Sequence, residues 1–135
     1  MATQMTSPFR LAAGATVAEY RLVKNSSGTA ILNTVTSTDV PFGVVQPTID
    51  GTYTSGTTLA IKDIKEGGTH KVVASTTITK GAVIYAAADG KVSPLSAVAA
   101  TYRRVGIAHE AGSADGSVIE AWLNPDGHTD TVSGS

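Results

Sequence analysis

The chain has 135 residues, ten Lys and Arg against eleven Asp and Glu, and a formal net charge of −1. A chain of this length is one ordinary domain that buries roughly two thirds of its unfolded surface and folds without a staple. With no cysteine there is no disulfide framework, thiolate metal site or cysteine nucleophile, and charges scattered along the chain do not form the basic patch on which nucleic-acid binding depends.

Residues 1–10 read as an N-terminal arm. Positions 1–8 are polar and without period, so they are expected to lack fixed structure in the free protein. They do not combine a basic start with an apolar run, so no secretory signal is expected. Met5, Phe9 and Arg10 make this end the one suited to docking on a partner.

Residues 11–123 read as a single β domain. Runs rich in β-branched and apolar residues are expected as strands at 17–24, 30–35, 42–46, 57–62, 70–74, 82–87, 104–109 and 117–123. Between them lie Asn25-Ser26-Ser27-Gly28, Asp50-Gly51, Glu66-Gly67-Gly68, Asp89-Gly90 and Asp115-Gly116. Glycine there tolerates the positive φ that tight hairpins require. The clearest hairpin runs over 82–93 through Asp89-Gly90.

The expected fold is all-β: a compact antiparallel β-barrel or β-sandwich of about eight short strands. At most one short helix is allowed, over 94–101, with Ser93 as N-cap and Pro94 at the first helical position. No apolar stretch is long enough to span a bilayer, so no membrane partner is expected.

Several strands are apolar on both sides, unlike a sheet with one wet face. In 117–123, Ile119, Ala121 and Leu123 alternate with Val118, Glu120 and Trp122. One set fills a core and the other needs a neighbour. Trp122 is accordingly a candidate subunit contact, or else a cover for the end of a barrel. Low charge, 16%, also points to surface covered by a partner. Residues 124–135 read as a flexible C-terminal tail, and the echo of Pro41-Phe42-Gly43-Val44-Val45 in Arg104-Val105-Gly106-Ile107-Ala108 as two similar strands.

No catalytic, cofactor or metal site emerges. His70, His109 and His128 share no metal-ligand spacing and are expected in solvent or in turns. Asp50, Glu66, Asp89, Asp115 and Asp126 sit beside glycine, where turn geometry accounts for them. Gly90-Lys91 lacks the leading glycine and the Ser or Thr of a phosphate loop, and Asn25-Ser26-Ser27 matches a glycosylation acceptor only by chance if the chain is not secreted.

The succession of Ala18-Glu19-Tyr20-Arg21-Leu22-Val23-Lys24, Pro41-Phe42-Gly43-Val44-Val45 and Ala74-Ser75-Thr76-Thr77-Ile78-Thr79-Lys80-Gly81-Ala82-Val83-Ile84-Tyr85-Ala86 continues through Asp89-Gly90-Lys91-Val92 and Val105-Gly106-Ile107-Ala108. It closes on Val118-Ile119-Glu120-Ala121-Trp122-Leu123. In this order the chain resembles the capsid decoration (cement) proteins of tailed bacteriophages, a family formerly filed as a domain of unknown function. Gly81-Ala82 departs from the family's usual Gly-Asp or Gly-Glu.

The resemblance implies a non-enzymatic β protein without cofactors, commonly a homotrimer, made in the host cytoplasm. It implies a seat on the outer capsid surface of the virion, with the major capsid protein as partner. The alternative is a carbohydrate-binding or adhesion β-sandwich module, which stacks sugars on exposed aromatics. A small hydrolase has no supporting constellation.

Overall fold

The computed structural model describes residues 9–14, 17–26, 29–32, 41–47, 52–56, 58–66, 68–96, 100–124 and 129–132. They form strands β1 (Phe9–Ala12), β2 (Val17–Ala18), β3 (Leu22–Ser26), β4 (Thr29–Leu32), β5 (Gly43–Val45), β6 (Thr52–Tyr53) and β7 (Thr58–Asp63). The second half adds β8 (Thr69–Val73), β9 (Val83–Ala86), β10 (Val92–Ser93), β11 (Ala100–Ala108), β12 (Val118–Leu123) and β13 (Thr129–Val132). The fold is all-β, antiparallel and sandwich-like, with no closed barrel. One sheet runs β1-β7-β5-β3-β4; the other, six-stranded, runs β10-β9-β11-β12-β8 with β13 also on β11; β2 and β6 form a separate ribbon.

The layers follow from alternation in the five-stranded sheet. Leu22 and Val44, paired across β3 and β5, join Val72, Ile84, Val105, Ile119 and Leu123 in the core between the two large sheets. Val23, Val45, Leu59 and Ile61 lie in a second core with Val17 and Tyr53 of the ribbon. Strands apolar on both sides in this sheet are thus covered on both sides by the chain itself.

The 82–93 hairpin forms as the sequence predicts, with Val92 opposite Ala86. Asp89 (φ 60°) and Gly90 (φ 70°) supply the two positive φ values that an Asp-Gly turn of this hand needs. A Cβ on Gly90 would lie 2.6 Å from the Leu22 carbonyl oxygen, so this turn packs directly on β3. Arg21 Nη1 donates to the Asp89 carbonyl at 3.0 Å across the same contact. The echoing segments are β5 and β11, interior strands of different sheets. A Cβ on Gly43 would meet Ile61 Cγ2 at 2.4 Å, and one on Gly106 the Trp122 carbonyl oxygen at 1.7 Å. Gly106 follows a register shift between β11 and β9, the mark of a bulge.

The structure stays within the allowance of at most one short helix, and it corrects two other expectations. No helix spans 94–101: Ser93 ends β10, residues 94–96 are not helical, Ala100 opens β11, and 97–99 lie outside the described residues. Pairing of a long β11 outweighs the marginal propensity of a short Ala-rich piece. The expected strand 17–24 breaks into β2 and β3 at Tyr20, a non-glycine residue at φ 59° whose N–H donates to the Val45 carbonyl at 2.7 Å. The segment 124–135 contains β13, paired with β11 from Ala100↔Val132 to Arg103↔Thr129.

Polar contacts that apolar periodicity does not register hold β13. Asp130 accepts from the Tyr85 hydroxyl of β9 and, at 3.2 Å, from Arg104 Nη2 of β11, while Thr101 and Thr131 hydroxyls pair across the strands at 2.9 Å. Burial, reinforced by the Asp130 carboxylate, raises the Tyr85 pKa above its ordinary value.

A raised folded-state pKa stabilises the fold below the ordinary tyrosine pKa, and that contribution disappears as pH rises through the raised value. In Asp130→Ala, Tyr85 is expected to titrate closer to its ordinary value by NMR. Amide exchange protection should drop in 129–132 while the central strands keep theirs. Gly106→Ala is expected to cost about 2 kcal/mol or more in urea unfolding, because the added methyl meets backbone that cannot turn aside.

Candidate functional site

Four large apolar side chains among the described residues are exposed: Leu95, in the segment after β10, and Ile107, Val118 and Trp122 on the outer face of the six-stranded sheet. On β12 the alternation is as the sequence predicts: Ile119, Ala121 and Leu123 are buried, while Val118 and Trp122 are 48% and 54% exposed. Ile107, 43% exposed, stands directly opposite Trp122 on β11. His109 packs its ring against the Trp122 indole edge to face, with centroids 4.7 Å apart and planes at 70°. Glu120, opposite Lys71 of β8, separates Val118 from Trp122.

Backbone contacts fix the geometry of this face. The missing side chain of Gly106 admits the Trp122 carbonyl into van der Waals range of β11. His109 N–H donates to the Glu120 carbonyl at 2.8 Å, and Glu120 N–H donates to Glu110 Oε1 at 2.7 Å. The indole is therefore held on a rigid strand pair, and a rigid aromatic anchor loses little conformational entropy when a partner covers it.

Trp122 does not cap the end of a barrel; it is the most exposed of the large apolar side chains among the described residues. Met5 lies outside the described residues. Phe9 and Arg10, expected in the arm, are the first two residues of β1, opposite Ile61 and Ala60 of β7. Residues 1–8 lie outside the described residues. His70, expected in solvent or a turn, is 1% exposed with Nε2 3.1 Å from the Asp63 carbonyl oxygen; β8 turns it inward with Val72. His109 is exposed, and His128 lies outside the described residues.

Sequence reasoning placed Val118 with Trp122 but missed Ile107 and His109. Which β11 side chains face outward depends on a bulge whose only local sign is Gly106.

No family model matches the chain, and no curated protein matches it. Among solved structures, the fold is similar to the head fiber gp8.5 N base of bacteriophage phi29. The TM-score is 0.65 at 20% sequence identity, over 90% of this chain and 96% of that one. At this identity the likeness is one of fold, and it extends over nearly the whole of both chains.

Trp122→Ala is expected to change stability by less than about 1 kcal/mol, as for an exposed site outside the core. Its neighbour Ile119→Ala should cost about 3 kcal/mol. Urea denaturation of the two variants checks the contrast between the faces.

Proposed function

We propose that the chain is a non-enzymatic structural protein of a tailed-phage head. In this reading it sits on the outer surface of the assembled shell as a homotrimer and bridges neighbouring subunits of the major capsid protein. The observation that carries the reading is the apolar outer face of β11 and β12, uncovered in a molecule whose other two-faced strands are covered internally. The likeness in fold to a phage head-fiber base and the sequence resemblance to decoration proteins supply the context.

Trp122, Ile107 and Val118 form the contact between copies. Taking a large apolar side chain from full exposure out of water contributes about 1.5–3 kcal/mol; these three are already about half buried, so covering each contributes about half of that at the centre of a polar rim. In this reading residues 1–8, with Met5, precede β1 and add contacts to the shell. Linking three such arms converts weak single contacts into lasting attachment, because the second and third bind at high effective concentration.

A sugar-stacking adhesion platform has less support. Tyr53, Tyr85 and Tyr102 are buried, which removes most of the aromatics such a surface needs.

Sedimentation of the purified protein is expected to give a trimer, and Trp122→Asp a folded monomer. Deleting residues 2–8 should leave the trimer intact and lower its occupancy on phage heads in a co-sedimentation assay. A wild-type monomer that stays in the supernatant with heads present overturns the proposal.

A further inference from the structure

A second site lies at the rim where the two large sheets meet, bordering the apolar face: Glu120 stands between Val118 and Trp122, and Thr69 is opposite Trp122. It is an open cleft of about 370 Å³, within the range of small-ligand sites, which begins near 300 Å³. We infer that this cleft binds an acidic saccharide, a sugar carrying a single carboxylate such as a uronic or sialic acid. The inference goes beyond the structural role proposed above and does not depend on it.

Charge in the cleft selects the ligand's charge. Lys62 of β7 and Lys71 of β8 both line it, with Glu120 of β12 beside them. Two ammonium groups and one carboxylate leave one positive charge over, which suits a monoanion. A doubly charged phosphate ester would press its second charge against Glu120. Lys62 is held in place by donating to the Thr69 carbonyl at 2.8 Å; an ammonium has three donors, so two remain for a ligand. Lys71 Nζ stands 5.9 Å from the centroid of the Tyr20 ring, within the range of a cation–π contact.

Neutral groups select the rest. Gln46 donates one of its two amide N–H groups to the Val44 carbonyl at 3.1 Å, which leaves the other N–H and the side-chain oxygen. The hydroxyls of Tyr20 and Thr69 donate and accept, and the Glu120 carboxylate accepts. This alternation of donors and acceptors answers sugar hydroxyls, whereas the carboxylate of an acidic peptide side chain needs only the lysines. Pro47 and the body of Tyr20 add the apolar surface against which the C–H face of a pyranose packs.

Tyr20 adopts φ 59°, a conformation that costs a bulky L-residue about 1–2 kcal/mol and that glycine adopts freely. The Tyr20 ring packs partly buried against the core between the two large sheets, which holds it in place at the wall of the cleft.

The test is an NMR titration of the full chain with glucuronic acid and N-acetylneuraminic acid, with glucose and acetate as controls. Saturable shifts at Tyr20, Gln46, Lys62, Thr69, Lys71 and Glu120 are expected with the acidic sugars, at dissociation constants of about 1 mM. Glucose and acetate should bind at least about tenfold more weakly, a difference of about 1.4 kcal/mol. Lys62→Met/Lys71→Met should weaken acidic-sugar binding by at least about tenfold; Lys71→Gln alone, at an exposed position, keeps the test available if the double variant does not fold. No saturable shift with either acidic sugar, an equal response to acetate, or unchanged binding in the lysine variants overturns the inference. The titration uses the purified chain without phage heads and head attachment is measured without sugar, so failure of the cleft and failure of the structural role read out separately.

Discussion

Val44 and Val45 are neighbours in β5, both fully buried, and their side chains leave the strand in opposite directions. A strand with that pattern is stable only with apolar matter above and below it. The six-stranded sheet answers on the Val44 side and the β2–β6 ribbon on the Val45 side, through Val17 and Tyr53. Gly43 completes the constraint, since its lack of a side chain lets β5 lie against Ile61. The layering of the molecule, and the identity of the face left uncovered, follow from this one strand.

The consequence for function is one of elimination by packing. Apolar alternation on β3, β5 and β7 is consumed within the chain, whereas the same alternation on β12 ends at solvent. Trp122, braced by His109 and seated through the Gly106 contact, is exposed among the described residues. The cleft beside it is polar and charged, and it adjoins this face through Glu120 and Thr69.

The sequence made much of this legible where the information is local. Period-two alternation located β12 and its inward residues, and Asp89-Gly90 located a hairpin through its positive φ values. What it concealed is held by contacts distant along the chain. β13 depends on Asp130 meeting Tyr85 and Arg104, polar partners with no periodic signature. The break at Tyr20 requires a left-handed residue where no glycine announces one. His70 looks like a surface residue until the β8 register turns it inward. The cleft draws its side chains from separate parts of both sheets, so no local spacing reveals it.

The claim at the centre of this account is that the molecule acts by covering and joining other subunits on a phage head. A cryo-EM difference map between heads assembled with and without the protein tests it directly. The account predicts three-fold density on the outside of the shell, with β11 and β12 of adjoining copies in contact and density for the arm on the capsid protein. A map with no added density, or with isolated copies whose Trp122 face is open to solvent, contradicts it.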